Sequence, residues 1–438
     1  LAAGCRRLKP NEGELVILSN KRRPGERRRL MAATGVLAVL ALTTAACGDD
    51  DTSSTAEESP ATTAGAEQPT GTPLKIGLLV DESGPNGPGQ AEAVDVSEAW
   101  VADTNANGGV AGHPVELVVK DTKGDAPTGS AAAAELIGDE SVIATLIVDS
   151  SGEAAYGPSL SQGGLPVVGG VGYNPRFWGA VPNVWGVSTS FPSVVNEQVI
   201  AAEAAGATNT AVAACAEVAA CSAAAPIFEG ATETLGLEYS GLVTVAVDAP
   251  DFTAECLQFV NDGVDFIQLS ASAATTQRLA SDCATQGYTG YFGASAGTVN
   301  PALYADQTDL RLTGGLNGFP WFVDAEPVQR FRDVMDANGV DEETYGSPVP
   351  TATWASLELF KKVVDDNAAT LGDNPDRAGL IAAYGTVADE TVDGLLPNPV
   401  TFTANQPGPP ISCFWLYTYE GGEFSGDFEP TCPGPEFG

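Results

Sequence analysis

Gly293-Ala294-Ser295-Ala296-Gly297 spells the GxSxG pattern of a nucleophilic serine on a turn, and it follows a predicted strand at 291–292. Acyl transfer by such a serine needs a histidine later in the chain to take the hydroxyl proton. The sole histidine, His113, lies far upstream. The pattern therefore reads as a chance recurrence of small residues, and His113, in a Gly-rich turn at 109–114, reads as an exposed loop residue. Carboxylate pairs for general acid–base work are everywhere among 57 Asp and Glu, so their number discriminates nothing. No GxGxxG or Walker loop opens a helix, which removes the usual phosphate cradle. Six cysteines, Cys215, Cys221, Cys256, Cys283, Cys413 and Cys432, carry no CxxC spacing and have one histidine for company, a poor zinc set. An even set in an exported chain favours disulfides. Sequence proximity suggests Cys215 with Cys221, Cys256 with Cys283, and Cys413 with Cys432, out of 15 connectivities that six cysteines allow.

Export is read from the amino-terminal region. Lys21, Arg22, Arg23, Arg27, Arg28 and Arg29 precede an apolar run at 31–46 (MAATGVLAVLALTTAA), followed by Cys47. A basic block, a short apolar core and small residues before a cut are the parts of a signal peptide. The run is too short for the ~20 residues of a membrane span. It resembles a bacterial lipoprotein signal peptide with its lipobox at Thr44-Ala45-Ala46-Cys47, although Leu usually stands where Thr44 does. That resemblance implies a lipid on Cys47; cleavage beside an ordinary cysteine is the alternative. Part of 1–25 reads as an over-extended start ahead of Met31. Residues 1–46 are accordingly set aside as signal peptide.

Of the 20 Lys and Arg, 9 lie before residue 47, as do 3 of the 57 Asp and Glu. The remaining 11 basic and 54 acidic residues give a net charge near −43. Such a surface repels phosphate backbones, so a nucleic-acid role is excluded. The acids are scattered, which favours solubility over attraction of a cationic ligand as their purpose. Residues 47–73 hold almost no large apolar side chain and read as a flexible tether.

From residue 74 the pattern turns regular. The run at 75–80 (KIGLLV) is a continuous apolar strand that ends in a Ser-Gly-Pro-Asn-Gly turn. A helix from about 88 follows, stopped near Asn107-Gly108-Gly109. Strands at 115–119, 142–148 and 165–168, with an Ala-rich helix at 128–137, complete one βα series. The alternation then restarts, with strands at 210–214, 242–247, 264–269 and 291–292 and helices at 222–235, 252–261 and 273–286. Two such series specify two α/β lobes with parallel sheets, each offering its loops at the carboxyl ends of its strands.

The segments KIGLLVDESGP, NANGGVAGHPVELVVKDTKGDAPTGSAAAAELI, the VDSS turn and LPVVGGVGYNP, all within 75–175, resemble the first lobe of type I periplasmic solute-binding proteins of the branched-chain amino acid transport family. The likeness runs more weakly to about 365, and the tail to 438 matches in outline. It implies two Rossmann-like lobes joined by a hinge, with 74–193 plus 318–396 as lobe 1 and 194–317 plus 397–438 as lobe 2. It also implies that Ser150 and Ser151, with the backbone of Val171 and the hydroxyl of Tyr173, hold a ligand's polar head, for which charge-assisted hydrogen bonds suit. The family usually has threonine at the position of Tyr173, an aromatic near Ala220 or Cys221, and an ammonium-binding acid near Thr275. A buried ammonium without that acid is costly, and Glu217 is the candidate substitute. Tyr173, Trp321 and Trp354 are the expected aromatic wall, chosen from a set that includes Phe177, Trp178, Phe319 and Phe322.

The resulting expectation is a solute-binding lipoprotein, without a cofactor, on the outer face of the cytoplasmic membrane. It captures a small solute, an amino acid or a related carboxylate or amide, and delivers it to the transmembrane subunits of an ABC permease. A sensor reporting to a signalling partner and a secreted hydrolase working through paired carboxylates are the alternatives.

Overall fold

A computed structural model of the chain describes residues 68–437 apart from 85–86, 173, 217–218, 272, 295–298, 300–303 and 305–309. The signal peptide, Cys47 and most of the expected tether lie outside the described residues, as do Tyr173, Glu217 and Ser295. The end of the expected tether is held in place: the N–H groups of Thr70 and Gly71 donate to the Gly112 carbonyl at 3.2 and 3.0 Å. His113 is only 6% exposed, with its Nδ1 2.8 Å from the Thr72 carbonyl. The expectation of an exposed loop histidine is thereby corrected, because the segment leading into the first strand covers its turn.

The first sheet holds β1 (Leu74–Val80), β2 (Val115–Asp121), β3 (Val142–Val148) and β4 (Val167–Gly170) in the order β2-β1-β3-β4, all parallel. Every residue of β3 is buried, which is why it is apolar at each position rather than alternating. Helix α1 (Glu92–Ala106) lies on one face; α2 (Ala126–Gly138) and α3 (Glu153–Gln162) pack together on the other. Asp125 starts α2 by accepting a hydrogen bond from Thr128 N, with Pro127 in the first turn where a missing N–H costs nothing.

The second sheet runs β11-β10-β9-β8-β7-β5-β6. Its strands β5 (Asn209–Cys215), β6 (Glu238–Val245), β7 (Phe266–Ser270), β8 (Tyr291–Gly293) and β9 (Leu312–Leu316) are parallel. The tail adds β10 (Trp415–Glu420), antiparallel to β9, and β11 (Glu423–Ser425), antiparallel to β10. These two were not foreseen. Helix α4 (Phe191–Ala204) underlies β9 and packs against α6 (Ala225–Leu235), which a short helix α5 (Ala219–Ser222) precedes. On the opposite face α7 (Thr253–Asn261) and α8 (Ala273–Thr285) are joined by the Cys256–Cys283 disulfide. Disulfides also link Cys215 with Cys221 and Cys413 with Cys432, the pairs that proximity suggested.

After β9 the chain supplies α9 (Glu326–Ala337), α10 (Glu342–Tyr345), α11 (Pro348–Asp366), α12 (Ala368–Leu371) and α13 (Arg377–Tyr384). Helix α11 packs on α1 and β4. Its approach to β4 requires glycine: the Ser356 hydroxyl sits 3.0 Å from Gly170 N, and Gly169 and Gly170 have φ of +150° and +115°. Arg377 at the start of α13 donates to the carbonyls of Leu136 and Asp139, at 2.9 and 2.7 Å, closing the carboxyl end of α2. Two connections between the sheets run side by side, with Ser190 N donating to the Ile411 carbonyl at 2.8 Å and Thr189 Oγ1 to that of Cys413 at 2.8 Å. Among the described residues no helix is long and apolar enough to cross a membrane.

Candidate functional site

In the first sheet the strand order reverses between β1 and β3, so a crevice opens beyond their carboxyl ends. Asp81 follows β1, and Asp149-Ser150-Ser151 follow β3. Asp149 is fully buried and accepts hydrogen bonds from Ser151 N (3.1 Å), Gly152 N (2.8 Å) and the Tyr156 hydroxyl (3.0 Å). That pattern folds the turn back on itself and starts α3. Burial first, and then the neighbouring Asp149, push the Tyr156 hydroxyl far up, so it stays a donor.

Ser150 is bracketed by one side chain: Gln90 Nε2 donates to Ser150 Oγ at 2.8 Å, while Ser150 N donates to Gln90 Oε1 at 3.4 Å. Gln90 is 4% exposed, so this amide fixes the serine from beneath. Ser151 is exposed at the tip. Glu153, also fully buried, accepts from Asn174 N at 2.5 Å and Trp178 Nε1 at 2.7 Å. One carboxyl thus couples the serine turn to the loop after β4. Gly172 N completes the rim by donating to Ser188 Oγ at 3.1 Å on the segment that leads into the second sheet.

Along this loop lies a cavity of about 240 Å³ lined by Gly172, Asn174, Trp178, Ser188, Pro410 and Ile411, among others. It is slightly below the ~300–1,000 Å³ of pockets for drug-sized ligands, a size suited to a metabolite. A larger groove of about 630 Å³ lies between α1 and α9, lined by Asp103, Glu326, Arg330 and Asp333. It is formed by helix faces, away from the strand ends.

Carboxyl groups at this end of the sheet accept hydrogen bonds within and between its loops. Asp81 Oδ1 accepts from Gly84 N at 2.8 Å. Asp121, at the end of β2, accepts from Ser83 Oγ (2.5 Å), Lys123 N (2.9 Å) and Glu82 N (3.2 Å). Partial burial opposes ionisation of Asp121, but these hydrogen bonds outweigh it and hold the carboxyl below the usual range.

Ser150, Ser151 and Val171 come together at this one rim. Val171 has no exposed surface, and its N–H donates to the Ile147 carbonyl at 3.0 Å. Thr275 is 1% exposed in the first turn of α8, beside the carboxyl end of β7. Trp321 and Trp354 require correction as pocket walls. Trp321 is 1% exposed, its ring 5.2 and 5.3 Å from those of Phe322 and Phe424. Trp354 is fully buried in α11 beside Phe331 and beneath Arg330. Both indoles are core, since large apolar rings gain most when wholly enclosed. Trp178, named only among the wider set of aromatics, is the tryptophan that lines the cavity. Gln90 and Glu153 were not read from sequence at all. Among the described residues no group of three His, Cys, Asp or Glu side chains could hold a metal ion.

Residues 73–423 match the family model described as periplasmic binding protein, and the chain belongs to that family. No match is found among curated proteins. Solved structures share the fold. A leucine-binding protein from Thermotoga maritima is 18% identical over 82% of this chain and 99% of its own, with a TM-score of 0.64. A branched-chain amino acid transporter substrate-binding protein from Streptococcus pneumoniae, in complex with isoleucine, is 15% identical over 83% and 100%, with a TM-score of 0.66. A solute-binding protein of an ABC transporter from R. palustris, in complex with benzoate, is 17% identical over 81% and 95%, with a TM-score of 0.62.

Proposed function

We propose that this chain is the substrate-binding component of an ABC importer, taking a small solute with a carboxylate or amide head into the crevice beyond β1, β3 and β4. The observation that carries this reading is the serine turn at the switch point of the first sheet, held open by Gln90, Asp149 and Glu153. The half-buried Ser150 hydroxyl, which accepts from Gln90 and keeps its own proton to donate, and the exposed Ser151 suit a carboxylate, and the cavity beside them has metabolite size. Two fold relatives, one in complex with isoleucine and one with benzoate, support a carboxylate as the common ligand feature.

Closure would bring the first lobe, 74–193 with 318–396, against the second, 194–317 with 397–438, around the solute. The paired connections near Ser190 and Ile411 suit a hinge. Tyr173 is assigned to the ligand's polar head beside the serine turn, and Glu217 and Thr275 to its far side. A lipid on Cys47 would tether the domain to the outer face of the cytoplasmic membrane, beside its permease. Screening by thermal shift against amino acids, their amides and aromatic acids tests the reading. Stabilisation by a carboxylate without turnover is expected; a product in the same mixtures would contradict it. Mass spectrometry of the mature amino terminus checks the lipid separately.

A further inference from the structure

The cavity of about 240 Å³ beside the serine turn is built from the two connections between the sheets as well as from the loop after β4. Among the described residues twelve line it, and none has an ionisable side chain, in a chain with 57 acidic ones. Its polar members are already engaged within the protein. Ser188 Oγ accepts from Gly172 N at 3.1 Å, the hydroxyls of Ser190 and Ser193 lie 3.1 Å apart, and Asn174 Oδ1 accepts from Arg176 N at 2.9 Å. The rest of the lining is apolar. Ile411 is 3% exposed and Trp178 half-buried, so these two large side chains form the inner wall, while the four prolines of the lining are exposed and stand at the mouth.

Both sides of that wall are fixed. The Trp178 indole donates from Nε1 to Glu153 at 2.7 Å and lies against Gly172 and Gly186, where a Cβ would come within 3.0 Å of the ring. On the second connection the Ile411 carbonyl accepts from Ser190 N at 2.8 Å. Asn398 Oδ1 accepts from the next two N–H groups, of Ser412 and Cys413, at 3.2 and 2.9 Å, and Cys413 is bonded to Cys432. A rigid, uncharged chamber admits an apolar group up to a fixed size and leaves a charged one without a partner.

We infer that Trp178 and Ile411 set the specificity of the site: the cavity takes an uncharged, apolar end of the solute while the Ser150-Ser151 turn holds its polar head, and Ile411 limits how long that end is. The inference rests on the crevice beyond β1 and β3 being the binding site.

The test is calorimetric titration of the whole chain with straight-chain carboxylates from acetate to decanoate. Each added methylene is expected to tighten binding about fourfold, as burial of one CH₂ does, until the chamber is full, and the gain should stop before decanoate. The dicarboxylate of the best-bound length, with its second charge at the far end, should bind about tenfold or more weakly than the monocarboxylate. Ile411→Val takes one methyl group from the wall and should move the limit out by about one carbon; Trp178→Phe should move it the same way. Ser150→Ala should weaken every member about tenfold and leave the limit in place. Affinity that is flat along the series, that still climbs at decanoate, or that keeps its limit in both wall variants overturns the inference, as does a dicarboxylate bound as tightly as its partner. If Ser150→Ala weakens the series while any of these holds, the crevice stands as the site and the apolar chamber falls. If no carboxylate binds, or Ser150→Ala changes nothing, both fall.

Discussion

Replacing Glu153 by Gln isolates the coupling between the serine turn and the loop after β4. The carboxyl is fully buried and accepts from Asn174 N and Trp178 Nε1 at 2.5 and 2.7 Å. Glutamine keeps one acceptor and turns an NH₂ group toward the other donor, so one hydrogen bond is lost and a buried N–H is left unpaired. Bonds to charged groups are worth ~1.5–3 kcal/mol each, which sets the penalty at about 2 kcal/mol. Its point of action is the loop that lines the cavity, not the sheet. A penalty of that size on the arranged loop raises the apparent Kd up to about 30-fold, while the urea midpoint moves less than a core substitution would move it. Calorimetric titration with the solute that emerges from the thermal screen, beside urea unfolding of the same preparation, separates the two effects. Full affinity together with a stability loss of ~2 kcal/mol would show that Glu153 only supports the fold and that the loop is no part of the site.

Three further outcomes are expected. Ser150→Ala removes the oxygen that Gln90 Nε2 donates to at 2.8 Å, so affinity should fall about tenfold with a stability change of ~1 kcal/mol; titration and thermal unfolding check the two halves. Opening the Cys256–Cys283 disulfide with serine at both positions frees a sequence separation of 27, which the chain-entropy relation puts at about 3.5 kcal/mol, measurable as a lower urea midpoint. Burial pushes the Glu197 carboxyl well above its ordinary value, so the folded state keeps a proton that the unfolded state loses. The stability this confers is complete below the ordinary carboxyl range and declines as pH rises toward the folded value, by up to ~1.4 kcal/mol per pH unit. Glu197→Gln should flatten that decline, and urea unfolding across pH 5–8 would expose an unchanged slope.

The sequence predicted 142–148 as a strand and β3 has those ends, because a strand buried on both faces must be apolar throughout and nothing competes with that signal. The tail strands were missed although β10 alternates buried and partly exposed positions, Trp415, Tyr417 and Tyr419 inward. Its partner β9 lies about a hundred residues upstream, and no local pattern points there. The site divides the same way. Ser150 was reached through the family resemblance, which implies a ligand-holding serine turn after this strand; a strand-end turn by itself reads equally well as solvated. Gln90 was not reached, since its role comes from meeting a residue 60 positions away. Glu153 looked like one acid among 57 and gained meaning only from what its buried oxygens accept. For Trp321 and Trp354 the residue type suits a pocket wall and a core equally, and packing against Phe424 and Phe331 decided for the core.

A crystal structure of the chain with the solute from the screen tests the central claim most directly. The account predicts the solute's carboxylate or amide within about 3 Å of hydrogen-bonding atoms of the Ser150-Ser151 turn, between the carboxyl ends of the two sheets, with Trp178 close by. A solute seated instead in the groove between α1 and α9, with the serine turn empty, would contradict it.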